Sequence, residues 1–355
     1  MKERIYVCHT YYHVYITFLK EFALPKEKQG GATVVLSSMS TDFENLKDRL
    51  VKTGFFEDVV EFDEKRHTFF EELTPLNEDK GNIVKNMISR MKYTKRYAQL
   101  EEPYIPVDFS EYGDIYVFCD SDPIGYYLNY KHIRYHAVED GLNCLKMFDA
   151  ARHDNQGFFK LKAFMASLNL IFIQNGYSKY CIDMEVNDRS CLKYDYHKYI
   201  EVPRKDLEAR VTAEERRILV QAFMEDADAL LEVLSQGGEK KNALILTEKL
   251  HDVETRKKMF SDIIEEYCQG YRVFFKLHPM DDMDYTAAFP EHIVLKGRFP
   301  LEVMKHIEGV HFDKAIAVLT QAIALADFAD EKILLGVKFL DRYENAEKYA
   351  FLERE

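Results

Sequence analysis

Short runs of β-branched and aromatic residues recur along this chain, each stopping at a polar or proline-containing turn and most followed by a helical stretch. That alternation restricts the fold more than any other feature, because strands and helices at this spacing read as crossover units of parallel sheets. The clearest run is Arg272-Val-Phe-Phe-Lys-Leu277, which stops before His278-Pro279. Val273, Phe274 and Phe275 suit a strand covered on both faces. Pro279 has no N–H for a ladder and ends it. Lys276 and His278 are thereby expected at the carboxyl end of a strand, where open α/β sheets bind ligands. A compact ammonium and an imidazole suit a phosphate there. A histidine that only caps the loop is the competing reading.

The first half reads as strands over 4–8, 33–36 and 58–62, with helices over 11–22 and 42–52 that Thr10 and Thr41 can cap. A helix over 81–100 carries Lys85, Arg90, Lys92, Lys95 and Arg96. It is either a surface for an acidic acceptor or anionic lipid, or an ordinary solvated face. A strand over 114–119 ends at Asp120-Ser-Asp-Pro123, where Pro123 opens a helix capped by Asp122 and Asp120 is left towards the acceptor side. A strand over 133–138 runs into Glu139-Asp140-Gly141, and 168–173 reads as another strand. Residues 182–212 read as an irregular joining region.

Thr212-Ala-Glu-Glu215 has the pattern of a capping box and opens a helix to about 234. Gln236-Gly-Gly-Glu-Lys240 is the strongest turn signal and places the domain boundary, giving 1–236 and 237–355. The second half repeats the grammar. Strands are expected over 242–246, 272–277, 292–296, 315–319 and 333–337. Helices are expected over 254–268, 301–306, from Thr320 to 328, and over 343–352. The fold class is α/β, with two Rossmann-like halves.

Composition limits the function classes. The 355 residues carry a formal net charge of -13, which disfavours non-specific nucleic-acid binding, since that rests on neutralising phosphates. The six cysteines, at 8, 119, 144, 181, 191 and 268, show no CxxC or metal-ligand spacing. Cys8 and Cys119 read as small core residues, and a reducing cytosol is the expected compartment. No signal peptide is read at the start, whose apolar run is broken by His9 and His13. No stretch reaches the roughly 18 apolar residues of a membrane span, so membrane contact is expected to be peripheral at most, on the inner face of the cell membrane.

Several motifs, taken in order, resemble those of bacterial sialyltransferases of glycosyltransferase family 52 and the related polysialyltransferases. They are Ile5-Tyr-Val-Cys-His-Thr-Tyr-Tyr-His13, Glu139-Asp140-Gly141, Ala243-Leu-Ile-Leu-Thr-Glu-Lys-Leu250, Lys276-Leu-His-Pro279, and Phe299-Pro-Leu-Glu302 with Thr320. The likeness runs from about residue 3 to about 326. Tyr11 departs from the proline often found there, and Leu319-Thr320-Gln321 departs from the usual pair of hydroxyl residues.

The resemblance implies a GT-B architecture, two Rossmann-like domains facing a central cleft, with an acceptor-binding first half and a nucleotide-binding second half. It implies transfer of sialic acid from CMP-sialic acid to a glycan hydroxyl, with inversion and with no metal or other cofactor. The glycan would belong to a capsule, a lipooligosaccharide or an oligosaccharide. A homodimer is compatible with the family.

Such chemistry needs a carboxylate base and phosphate stabilisers. Asp140 is the expected base with Glu139 in support; a plain acidic turn is the alternative. His278 is expected to bind or protonate the departing phosphate, with Lys276 adding charge and Pro279 fixing the loop. Thr320 and Gln321 are expected at the phosphate, at the start of a helix, unless Thr320 is a simple cap. Leu301 and Glu302 are expected at the nucleotide, Glu302 at the ribose because a carboxylate can accept both hydroxyls; a first-turn helix acid is the bland reading of Glu302. Thr247 and Glu248 are expected on the cytidine side. Thr10, Tyr11, His13, Asp120, Gly141 and Asn143 are expected near the acceptor or donor sugar. Two other readings stay open: a transferase using CMP-Kdo or CDP-glycerol, and a nucleotide-binding homologue without catalysis.

Overall fold

The structure, a computed structural model, describes residues 2–120, 123–224, 227–236, 240–278 and 281–343. Contacts divide the chain into two units, Met1–Thr212 and Ala213–Glu355. Pro279, Asp122 and nearly all of the helix expected over 343–352 lie outside the described residues.

The first unit is built on seven strands: β1 (Lys2–Cys8), β2 (Ala32–Ser37), β3 (Asp58–Phe62), β4 (Tyr112–Phe118), β5 (Tyr135–Val138), β6 (Cys181–Val186) and β7 (Tyr199–Glu201). All pair in parallel, in the order β3-β2-β1-β4-β5-β6-β7. The second unit has β8 (Asn242–Leu246), β9 (Arg272–Lys276), β10 (Ile293–Val294), β11 (Phe312–Ala317) and β12 (Ala329–Leu334). These also pair in parallel, in the order β10-β9-β8-β11-β12. Each sheet therefore reverses its winding once, between β1 and β4 and between β8 and β11. Such reversals open the crevices in which doubly wound sheets hold ligands.

The cores follow the apolar strands. Ile5, Val7, Val35, Val117 and Ala137 share one cluster, and Ala243, Ile245, Val273, Phe275 and Ile316 another. Among the described residues, no helix is long and apolar enough to cross a membrane.

Five expectations are corrected. The helix after Thr212 was placed with the first half, but it belongs to the second unit. It forms two pieces, Ala213–Phe223 and Ala227–Ser235, and Arg272 on β9 donates to the carbonyls of Val233 (2.7 Å) and Leu234 (3.3 Å) at its end. The run 168–173 is a loop, buried only over 171–173, not a strand. Its backbone bonds side chains instead of a ladder: Phe172 N donates to Thr94 Oγ1, and Ser178 Oγ donates to Ile173 O. The joining region over 182–212 instead supplies β6 and β7. The segment after Thr320 is only a 3₁₀ turn, Gln321–Leu325, because β12 begins at Ala329. Cys119 is half-buried and has a left-handed φ of 50°, whereas Cys8 is in the core.

Gly125, in the helix Pro123–Tyr130, is required by close approach. A Cβ there would meet Asp120 O at 1.9 Å and the Phe172 ring at 2.6 Å. Gly125→Ala is expected to destabilise the first unit by about 1–3 kcal/mol, the usual range for overpacking; a denaturant midpoint unchanged from wild type contradicts this.

A buried acid sits nearby in sequence. Glu101, at the end of the helix Ile83–Glu101, is fully buried, and neither carboxylate oxygen has a hydrogen-bond partner among the described residues. Burial, and then the charge of Glu64, push its pKa up to about 8. The unfolded chain releases this proton near the ordinary 4.5. Between those values the folded chain holds the extra proton, so stability falls as pH rises from about 5 to about 8. Glu101→Gln is expected to flatten that slope in melting curves taken across the window; an unaltered slope excludes Glu101 as its source.

Candidate active site

The first unit gathers its candidate residues at the carboxyl ends of β1, β4 and β5. The β1 strand runs into the helix Tyr11–Phe22, which Thr10 caps by accepting the His13 N–H at 3.2 Å. His13 therefore sits in the first turn, fully buried, with its ring stacked on Phe118 at the end of β4, centroids 4.4 Å apart. Its Nδ1 accepts the backbone N–H of His9 at 3.0 Å. An amide can only donate, so the ring proton is on Nε2. That nitrogen lies 2.9 Å from Asp140 Oδ1 and 2.8 Å from the Asp140 carbonyl, to which it donates.

A buried neutral imidazole thus holds a carboxylate whose side chain is 53% exposed. Burial lowers the His13 pKa despite the pull of Asp140. For Asp140, desolvation pushes upward, but the His13 hydrogen bond and charge interaction outweigh it and leave the carboxyl below its ordinary value. Asp140 is ionised at neutral pH, oriented, and open to solvent.

Glu139 faces the other way. It is buried, its Oε2 accepts the Asn187 N–H at 2.8 Å, and desolvation raises its pKa. Asn143 takes a left-handed φ of 54° and accepts from the Asn187 side chain at 2.9 Å. Both residues fasten the turn to the loop after β6.

Two expectations at this edge are corrected. Asp120 is turned inward, its carboxylate accepting Asn175 N–H at 2.6 Å and the Tyr135 hydroxyl at 2.9 Å, so it anchors a loop and does not face a sugar. Tyr11 is a core residue packed on Phe43. Gly141 has no left-handed φ, and a Cβ would meet only Cys144 Cβ at 3.9 Å, so its backbone does not need glycine.

His9, within the opening motif, has a role that the sequence does not suggest. It is buried and its Nε2 lies 3.1 Å from Glu64 Oε2. Glu64 also accepts the Ser37 hydroxyl and the Ile124 N–H. The signal is the His9-x-x-x-His13 spacing, uninformative until β1 is known to end at Cys8, just before them.

In the second unit, β8, β9 and β11 converge on the other set. Thr247 is buried; its N–H donates to Lys276 O at 3.0 Å, and its hydroxyl accepts the His278 N–H at 2.9 Å. This tie orients the loop carrying His278, whose ring is exposed. Lys276 is buried, with Nζ 4.1 Å from the centre of the Phe299 ring and 3.0 Å from Leu277 O. Burial brings its pKa down to about 7, against an upward pull from Glu302. Desolvation first, and then the Lys276 charge, lower the His278 pKa. Beyond Pro279 the chain is fastened by Arg256, which donates to Asp281 at 2.6 Å and Asp282 at 2.7 Å.

Glu248 and Thr320 differ from expectation. Glu248 Oε2 accepts the N–H groups of Val318 (3.1 Å) and Leu319 (2.8 Å), bridging β8 to the end of β11. Desolvation raises its pKa to about 7, against those amides. The Thr320 hydroxyl accepts the Ala322 N–H at 3.3 Å as the cap of the short turn, leaving Gln321 exposed beside it. A turn of five residues has no helix dipole to offer an anion. Leu301 and Glu302 are buried in the 3₁₀ helix Leu301–His306.

Among the described residues, one group has metal-ligand spacing: His311, Asp313 and Asp330. It lies at the starts of β11 and β12, the edge opposite these residues, and takes no part in the site.

A family model described as glycosyltransferase family 52 matches residues 61–335. No curated protein is significantly similar in sequence. Among solved structures, the GT-B domain of the Photobacterium damselae sialyltransferase is similar at a TM-score of 0.50 and 13% identity, over 93% of this chain and 89% of that one. An α/β-galactoside α-2,3-sialyltransferase from the luminous marine bacterium Photobacterium phosphoreum is similar at a TM-score of 0.50 and 12% identity, over 94% and 91%. At such identities the likeness speaks for the fold, which is GT-B. The family match is of another kind, running in sequence from the end of β3 through β12 and so taking in both the Asp140 turn and the Lys276–His278 strand end. On that match the chain belongs to glycosyltransferase family 52 and is a glycosyltransferase.

Proposed function

We propose that this glycosyltransferase moves sialic acid from CMP-sialic acid to a hydroxyl of a glycan acceptor, in one inverting displacement that needs no metal. The observation that carries the reading is the His13–Asp140 pair. Bond formation at the anomeric carbon requires the acceptor hydroxyl to lose its proton, and an oriented, exposed carboxylate ionised at neutral pH is suited to take it. His13 donates to Asp140 and stays neutral, fixing which oxygen is presented. The departing CMP phosphate needs positive charge and a proton donor. Lys276 and His278, side by side at the end of β9, are the groups we assign to it, and Glu302 is assigned to the ribose. Glu248 and Thr320 then act by shaping the loop after β11, not by touching phosphate.

Both similar structures are of sialyltransferases, which favours a sialic acid donor. The test is a donor panel of CMP-sialic acid, CMP-Kdo and CDP-glycerol, with released CMP and CDP measured separately. Transfer and CMP release with CMP-sialic acid are expected. Turnover of CDP-glycerol instead, or CMP binding without turnover of any donor, overturns the reading.

A further inference from the structure

Two neighbouring elements of the first unit depart from the character of the chain. The segments 81–100 and 155–182 contain no aspartate or glutamate, in a protein of net charge -13. The first holds Lys85, Arg90, Lys92, Lys95 and Arg96, and the second Lys160, Lys162 and Lys179. The helices Ile83–Glu101 and Phe159–Ser167 lie together: Met87 and Met91 of one pack against the cluster containing Met165 and Ala166 of the other.

The opposite face of the second helix is also apolar, and it is bare. Leu161 is 43% exposed, Phe164 61% and Leu168 49%. Steps of three and four residues put these on one stripe. On the first helix Val84 and Ile88 are exposed as well. Between the helices is a recess of about 760 Å³, lined by Arg90, Lys162, Met87, Tyr93 and Phe158. Glu78 and Asp79 at its lip are engaged, by Lys80 at 3.3 Å and by the side chain of Asn86 at 2.7 Å.

Exposed apolar stripes of this size mark interaction surfaces. The charge selects the occupant. A two-fold contact with a second copy would bring like patches together, cations facing cations. An anionic bilayer instead receives both features, the aromatic and leucine side chains entering the acyl boundary while the lysines reach head groups. We propose that this face docks on the surface of a membrane rich in anionic phospholipid, with Arg90 and Lys162 receiving a head-group phosphate. The docking is independent of the donor and of the transfer chemistry.

The test is flotation of the full chain, without donor or acceptor, with vesicles of phosphatidylcholine alone or mixed with phosphatidylglycerol. Binding is expected only with phosphatidylglycerol and should weaken as salt rises. The variant Leu161→Glu/Phe164→Glu is expected to bind at least about tenfold less, as is Lys160→Glu/Lys162→Glu. The milder Phe164→Ser/Leu168→Ser, with both sites on the surface, guards against loss of fold, which melting curves monitor. Absence of binding to anionic vesicles, or undiminished binding by folded variants, overturns the proposal. So does a wild-type dimer that Leu161→Glu/Phe164→Glu converts to monomer, since the face is then a contact between copies.

Discussion

Asp140→Asn is expected to lower transfer by about 100-fold to 10,000-fold, the range for a lost general base, while CMP affinity stays at the wild-type value. Asparagine keeps the shape, and its carbonyl still accepts from His13 Nε2, so the turn should survive. What is lost is the ability to take the acceptor's proton. His13→Phe separates orientation from chemistry. The ring stacked on Phe118 is retained, but the bond to Asp140 Oδ1 at 2.9 Å is removed. Because that bond favours the ionised carboxylate, its loss should move the acid limb of the pH–rate profile up, towards the ordinary carboxylate range. His13→Phe should cost less than Asp140→Asn, and the double variant no more than Asp140→Asn alone, since His13 acts through Asp140. Near wild-type transfer by Asp140→Asn places the base elsewhere. Joint loss of CMP binding and thermal stability makes the turn structural.

The pairing of His13 with Asp140 shows where sequence stops being informative. Each residue could be placed by itself. Thr10 announced the helix Tyr11–Phe22 as a cap before an apolar periodic run, and the run 133–138 announced β5. Their contact spans 127 positions. It exists because β4 lies between β1 and β5 and carries Phe118 under the imidazole, and strand order is a tertiary fact. Asp120 failed for the converse reason. Its position after β4 was read correctly, but the partners that turn it inward, Asn175 and Tyr135, come from distant segments.

Missed elements have similar causes. In β6, Asp183 and Glu185 broke the apolar pattern, yet Asp183 pairs with His136 at 2.8 Å and Glu185 with Lys20, which lets both sit in a sheet. Ile171, Phe172 and Ile173 read as part of a strand because an apolar run of that length reports burial, not pairing. The strand end at Lys276 was legible because a β-branched and aromatic run followed by proline leaves little choice. Its tie to Thr247 and the capture of the β11 amides by Glu248 were not, since both depend on β8 standing between β9 and β11.

The ammonium of Lys276 gives the second large effect. In the free protein its pKa is about 7. A bound phosphate stabilises the charged form, so binding takes up a proton wherever Lys276 is neutral beforehand. CMP affinity should therefore be flat just below pH 7 and fall above it, approaching about tenfold per pH unit. The phosphate's second ionisation, near pH 6, is nearly complete by pH 7 and adds negative charge as pH rises, so it does not mimic a fall in affinity. The His278 pKa is lowered by desolvation, away from the range above pH 7 where the slope is read.

Lys276→Met should weaken CMP binding at pH 6.5 by about tenfold to a hundredfold, the worth of a hydrogen bond to a charged group, and should abolish the slope. Stability of the free protein should move oppositely. An unfolded lysine keeps its proton to about pH 10.4, so from about pH 7 to 10 the unfolded chain holds the extra proton and the Lys276 contribution to stability rises with pH. His278→Ala should weaken CMP by a similar factor but leave the slope in place, because the titrating group remains. Calorimetric titration of the three proteins with CMP from pH 6.5 to 9 separates these outcomes. An unchanged affinity and an unchanged slope in folded Lys276→Met remove Lys276 from the nucleotide site.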